Sequence, residues 1–284
     1  MEKIEYYNKL FKISAKVFDY ARKIIKEDAK ILEIAEKIEN KIYQLNAKPA
    51  WPLNICINEM AAHYTPEKND ETRIKSEDLV KVDVGIHIDG YIIDSAFTVC
   101  LADENNKLIE ASEIALENAL KIVKPGIKVK EISEKIYSSL KELNVKPIIN
   151  LCGHSIERYV THAGITIPNV PNNIQTKIEK GDVIAIEVFT TSGSGWVEES
   201  YPPNIFAFLE KRGVRMPEAR KILELAEKRF EKLPFAKRWI KDMAKGKVDI
   251  AISKLVEIKA LRDYPPLKES FGKVAVSEKT ILVE

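Results

Sequence analysis

Over residues 4–45 the apolar positions recur at helical spacing, with Tyr7, Leu10, Phe11, Val17, Phe18 and Ile24 followed by Ile31, Ile34, Ile38 and Ile42. This predicts one or two amphipathic helices, closed by Pro49 and Pro52. A short strand is expected over residues 55–60, leading to a loop at 63–70 that holds His63. From residue 79 to residue 101 the period becomes two. Val80, Val82, Val84, Ile86 and Ile88 alternate with Lys81, Asp83, Gly85, His87 and Asp89, and Asp89-Gly90 precedes a second β-rich run, a strong hairpin signature. With Asp89 and Gly90 as the loop, Ile88 faces Tyr91 and Gly85 faces Asp94. Side chains alternate along a strand, so Asp83 and Asp94 share one face as diagonal neighbours, roughly 7–8 Å apart at the backbone. Two like charges so placed repel unless a cation or a raised pKa relieves them.

Further on, residues 106–123 and 130–143 read as helices separated by Pro125 and Gly126. Extended stretches are expected at 147–152, 158–162, 182–189 and 273–284. A different texture lies between the last two, with helical patterns at 217–233 and 248–261 and a basic stretch containing Lys237, Arg238, Lys241, Lys245 and Lys247. That block has the character of an insertion into a sheet domain, and the whole reads as an α+β protein.

Composition narrows the classes of function. A chain of 284 residues with 45% hydrophobic content buries a full core, in one large domain or two modest ones. The 45 basic and 43 acidic side chains nearly cancel, so no global field directs the protein toward DNA or a membrane surface. No window is apolar enough to span a membrane, and the charged N-terminus lacks the apolar core of a signal peptide, which makes the cytoplasm the expected location. The three cysteines form no CxxC pair, against a disulfide framework or a thiolate zinc site.

Two more carboxylates stand out by context. Glu187 interrupts VIAIEVF and Glu278 interrupts VAVSEKTILV, where an unpaired ionised carboxylate costs several kcal/mol. Bound divalent cations remove that cost, and a pair of them needs oxygen and imidazole ligands, including a carboxylate that bridges both. Histidine occurs four times, at His63, His87, His154 and His162. An unbroken strand would put His154 and His162 on one face, and His87 lies on the hairpin face of Asp83 and Asp94. Spacing leaves all three open as ligands.

The hairpin VDVGIHIDGYIIDSAF at 82–97, with AAHYTP at 61–66, GHSI at 153–156 and YPPL at 264–267, resembles type 2 methionine aminopeptidase through nearly the whole chain. The resemblance implies the pita-bread fold, with a catalytic domain over 1–203 and 268–284 and an inserted helical, winged-helix-like subdomain over 204–267. It implies two divalent metal ions, drawn from Co, Mn, Fe or Zn. Asp83 would be a terminal ligand of one, Asp94 and Glu278 bridges, and His154 and Glu187 the completion of the second. His63 and His162 would be hydrogen-bonding groups beside the scissile peptide, and His87 would have no metal role. In the implied chemistry Glu187 accepts a proton from the attacking water, His162 stabilises the oxyanion and His63 contacts the leaving amine.

The implied substrate is the N-terminal methionine of nascent polypeptides, with a small second residue preferred. Trp51 stands where the family usually has Phe in the methionine pocket, Thr161 is expected nearby, and the insertion is expected to return Tyr264 to the site. The insertion walls the pocket, or meets ribosomal RNA through its basic stretch. A monomer is expected. The competing readings are an Xaa-Pro dipeptidase of the same fold and a non-catalytic pita-bread protein that binds ribosomes or RNA.

Overall fold

The hairpin around Asp89 and Gly90 anchors one half of the main sheet. The computed structural model describes residues 2–103, 106–243 and 246–284. The chain starts with α1 (Lys3–Ile24) and α2 (Ile31–Gln44), then β1 (Lys48–Pro49), β2 (Asn54–Ile57) and β3 (Met60–Ala62). The hairpin is β4 (Val80–Ile88) and β5 (Tyr91–Val99), followed by α3 (Lys107–Ile122) and α4 (Val129–Glu142). Next come β6 (Lys146–Pro147), β7 (Cys152–Ser155), β8 (Thr166–Pro168), β9 (Val183–Thr191) and β10 (Val197–Glu199). After them are β11 (Ile205–Phe208), α5 (Pro217–Leu225), β12 (Phe235–Ala236), α6 (Lys237–Ile240), α7 (Val248–Glu257) and β13 (Leu261–Tyr264). The last strands are β14 (Leu267–Glu269) and β15 (Val274–Leu282).

A nine-stranded antiparallel sheet runs β1-β4-β5-β15-β9-β7-β8, with β2 also on β4 and β6 on β9. Pairing in the hairpin is the expected one, with Ile88 opposite Tyr91 and Gly85 opposite Asp94. The period of two sorts the residues between the faces. Val82, Val84, Ile86 and Phe97 pack with the apolar stripe of α1 and α2, including Tyr7, Leu10, Val17, Ile34 and Ile38. Ile184, Ile186 and Val188 pack with Ala115, Ile132 and Ile136 of α3 and α4. Each fully buried side chain of this kind contributes about 1.5–3 kcal/mol. Helices thus cover one face, and the chemistry-bearing residues collect on the other.

The contact between β5 and β15 is unusual. Only Glu278 with Ala96 and Lys279 with Ser95 pair there by backbone register. On either side a threonine hydroxyl stands in for the ladder. Thr280 Oγ1 accepts from Asp94 N and donates to Asp94 O, each at 2.7 Å, and Thr98 Oγ1 accepts from Val276 N and donates to Val276 O, each at 2.8 Å. A second small sheet, β10-β14-β3, lies beside the carboxylate-bearing face.

The block from Ile205 to Tyr264 has a core of its own, built from Phe206, Ile222, Phe235, Ile252, Leu255 and Leu261, and a three-stranded sheet β12-β11-β13. Two details differ from the sequence expectation. The first helical pattern passes into a π-helical turn at Ala226–Phe230. The second ends at Glu257, and Leu261 opens a strand because it pairs with Phe208 on β11.

Of the two readings of the basic stretch, the side-chain contacts favour the pocket wall over the RNA-facing surface. Arg238 is buried, and its guanidinium donates to the Glu39 carboxylate, to Thr65 Oγ1 and, at 3.3 Å, to Pro66 O. Glu39 also accepts from Leu53 N and Trp239 Nε1, both at 3.0 Å. Lys237 pairs with Glu67 and Asp249, and Lys247 with Glu218. Lys245 lies outside the described residues. The positive charge that the sequence displays in a run is largely spent on internal partners, and the Arg238–Glu39 pair ties the insertion to α2 and to the loops that carry Trp51 and His63. Among the described residues, no helix is long and apolar enough to cross a membrane.

Arg238→Met leaves the Glu39 carboxylate buried without its cation and is expected to cost about 3–5 kcal/mol. Lys247→Met, at an exposed pair, is expected to cost less than about 1 kcal/mol. Urea denaturation of the two variants checks the contrast, and equal costs would contradict the assignment.

Candidate metal centre

Strand geometry brings distant carboxylates together. Asp83 on β4 is opposite Ala96, one pleat from Asp94 on β5, and Ala96 is in turn opposite Glu278 on β15. Glu278 is directly opposite Glu187 on β9, and β7 places His154 opposite Ala185 of the same strand. All five residues line one cavity of about 380 Å³. Asp94 and Glu278 are buried at 5% and 4% exposure.

The donors suit a hard divalent cation. One ligand atom each from Asp94, His154 and Glu278 lies within 4.8 Å of the others, while Asp83 and Glu187 border this trio in the same cavity. Asp94 Oδ1 and Glu278 Oε1 are buried and have no hydrogen-bond partner among the described residues. Such orphaned acceptors are costly unless something electropositive satisfies them. His154 Nδ1 lies 3.3 Å from Ser155 O, so the ring proton belongs on Nδ1 and Nε2, 3.3 Å from Asp94 Oδ2, is left as the ligand atom. Cys152 is in the cavity wall, but burial pushes its pKa up to about 11 and keeps the thiol protonated. Carboxylate oxygens with one imidazole are thus the fitting donor set.

Mutual repulsion registers in the titration of the group. Burial raises the Asp83 carboxyl well above its ordinary value, with the Asp94 and Glu187 charges reinforcing it. Burial, then Asp94, Glu187 and Asp83, does the same to Glu278. Glu187 is raised to about 7, chiefly by burial, with the His154 charge opposing and Asp94 reinforcing. Burial disfavours the charged form of His154, yet the Asp94 carboxylate outweighs it and the pKa stands above the usual histidine value.

The other histidines separate clearly. His87, which spacing left open, is buried away from the trio, where its Nδ1 accepts from Gly90 N at 3.2 Å and its ring packs edge-on against Tyr159. Trp51 lies across Gly85, the next residue on that face toward Asp83. His162 does not continue a strand from His154. The run expected to be extended turns at Glu157 and Val160, Tyr159 takes a left-handed φ of 60°, and Ala163 N returns to Ser155 O at 2.8 Å. The fold-back brings the two rings edge to face at 4.2 Å. His63, at the end of β3, sits edge-on against Tyr264 at 5.7 Å, with Nδ1 3.3 Å from Pro265 O. Burial lowers its pKa to about 4, so the ring is neutral at pH 7.

Trp51, Thr161 and Tyr264 all line the cavity, the last delivered by β13 as the insertion returns. Sequence reasoning missed two neighbours, Asn54 and Lys81, and the polar contact of Trp51. Asn54 Nδ2 donates to Asp83 Oδ2 at 2.9 Å, and Trp51 is polar as well as apolar here, with Nε1 3.2 Å from Asp83 Oδ1. Lys81, almost fully buried in the wall, donates to Asn58 O and Val274 O at 2.9 Å and to Leu79 O at 3.3 Å. The alternation that put Asp83 inward puts Lys81 inward too, and that was the available signal.

Residues 5–232 match the sequence pattern of metallopeptidase family M24. The chain is 44% identical over 277 residues to the methionine aminopeptidase of Pyrococcus abyssi, spanning 96% of this chain and 94% of that one. Among solved structures, a thermophilic Arx1 matches with a TM-score of 0.84 at 20% identity, over 95% of this chain and 85% of that one. The methionine aminopeptidase of Thermotoga maritima matches with a TM-score of 0.71 at 20% identity, over 99% and 92%. These likenesses show the fold, the pita-bread arrangement expected from the sequence.

Stability should depend on pH in protein stripped of divalent cations. Carboxyls with folded pKa values above their unfolded values hold extra protons in the folded state, so their contribution is present below the unfolded value near 4.5 and is lost as pH rises through about 7 for Glu187. Thermal melting of the stripped protein is expected to drop across that window, and Glu278→Gln to flatten the drop. A flat profile in the unaltered protein would contradict the coupling.

Proposed function

The chain belongs to metallopeptidase family M24, and we propose that its carboxylate basin holds two divalent cations through Asp83, Asp94, His154, Glu187 and Glu278. The activity is that of a metal-dependent aminopeptidase directed at N-terminal methionine. The observation that carries the proposed site is the pair of buried oxygens, Asp94 Oδ1 and Glu278 Oε1, without hydrogen-bond partners among the described residues, in a trio with His154 whose ligand atoms lie within 4.8 Å of one another. When bound, the cations supply Lewis acidity and make water a competent nucleophile at neutral pH.

The side chains divide the remaining work. Glu187, in the wall of the same cavity, accepts the proton of the attacking water and can return it to the departing amine. His162 donates to the oxyanion that develops on the scissile carbonyl. His63, held by Pro265 O and Tyr264, hydrogen-bonds the peptide nitrogen of the leaving side. Trp51, Thr161 and Tyr264 enclose the terminal side chain, and an aromatic wall suits a polarizable thioether. Asp94 and Glu278 would be the carboxylates shared between the cations, with Asp83 and His154 as further ligands.

The proposed substrates are nascent polypeptides in the cytoplasm with a small second residue, acted on by a monomer. Because most of the basic stretch in the insertion is internally paired, we assign that block to walling the pocket rather than to contact with RNA. Cobalt, manganese, iron and zinc all accept such a donor set.

Hydrolysis of Met-Ala-Ser by metal-depleted protein is expected to return when a suitable cation is restored, and Asp94→Ala to abolish it. His162→Ala should lower kcat by about a hundredfold or more while the protein still binds metal. In a panel with terminal Met, Leu, Ala or Pro, Met should be cleaved fastest. Faster cleavage of Xaa-Pro dipeptides would favour the dipeptidase reading, and unchanged turnover by Asp94→Ala would remove the site assignment.

A further inference from the structure

Trp51 has a bond that a pocket wall does not require. Its indole lies across the backbone of Gly85, so close that a Cβ there would fall 2.4 Å from ring carbons Cδ2 and Cε2. Ala50 N donates to Gly85 O at 2.9 Å and fixes the backbone beside this seat. From it the ring, in a residue 7% exposed, turns Nε1 toward Asp83 Oδ1 at 3.2 Å. Asn54 Nδ2 holds the other oxygen, Oδ2, at 2.9 Å. The carboxylate is therefore gripped at both oxygens by neutral donors, and rotation about its Cβ–Cγ bond would break one or both bonds.

We propose that Trp51 is a positioning residue for the Asp83 metal position, its indole N–H fixing the carboxylate in the orientation that takes a divalent cation. This rests on the proposed role of Asp83 as a ligand and deepens it. A phenyl ring would fill part of the seat over Gly85 and still line the pocket, but it has no donor for Oδ1. Free of that bond, the carboxylate must be ordered when the cation arrives, and affinity falls. Groups that orient a ligand in this way are commonly worth tenfold to a hundredfold in metal affinity.

The test separates the ring from its N–H. Benzothienylalanine, in which sulfur replaces the indole N–H with nearly the same outline, is placed at position 51 alone, beside Trp51→Phe and Asp83→Asn. Metal-depleted full-length protein of each kind is titrated with Mn2+ by calorimetry, and its melting is recorded without metal. The expected result is that the isostere binds Mn2+ at one position about tenfold or more weakly, as Trp51→Phe does, while its metal-free melting stays close to that of the natural protein. Against an Asp83→Asn background the isostere should add no further loss, since the two changes remove one interaction. Natural affinity in the isostere, or a full additional loss in the Asp83→Asn background, would overturn the proposal. Failure of the unaltered protein to take up Mn2+, Co2+, Fe2+ or Zn2+ at the basin would instead remove the metal assignment itself, and this inference with it.

Discussion

Four carboxylates from four strands line one cavity, and the rest of the molecule is arranged around holding them there. Burial first, and the charge of their neighbours second, opposes ionisation there, as the raised pKa values of Asp83, Glu187 and Glu278 record. A loose scaffold would let them spread. The sheet does not, because its other face is bonded by burial to two helix pairs and because each carboxylate sits in an element locked by register with the next. The fold thus keeps acidic groups together where they resist ionising, which is the environment a divalent cation would relieve.

The supporting groups follow the same logic. Asn54 and Trp51 occupy Asp83, Ser155 O orients His154, and Thr280 clasps the backbone of Asp94. None of these partners carries a full charge, so each fixes geometry without neutralising the basin. Lys81 is the informative contrast. It is a buried cation in the same wall, yet three carbonyls claim its ammonium group, so it braces the sheet instead of pairing with the acids.

Much of this was legible from local pattern. Period two and the Asp-Gly turn determined the hairpin register down to the pairing of Gly85 with Asp94, and helical spacing located the four helices behind the sheet. The company of Glu278 was not legible, because its neighbours Ala96 and Glu187 are far away in sequence and pairing at that range leaves no periodic mark. His87 illustrates a second limit. Alternation put it on the right face, but only the bulk of Trp51 over Gly85 and the Gly90 N–H show why it lies apart. His162 was misjudged as part of a strand because a turn without Pro or Gly at its centre, with Tyr159 in a left-handed conformation, breaks no sequence rule visibly. The basic stretch left two readings open, since a run of charges does not disclose its partners until Glu39, Glu67 and Glu218 are found facing it.

The strand at the middle of the sheet, β15, follows every other strand in the chain, and it is clasped by threonine hydroxyls on the β5 side and by a nine-residue ladder on the β9 side. During vectorial synthesis the two flanking halves can each form early, with their helices in place, but they meet only when the keystone strand arrives. Glu278 comes with it. The acidic basin therefore stays open until that strand is in place, after the strands that carry Asp83, Asp94, His154 and Glu187 have already been made.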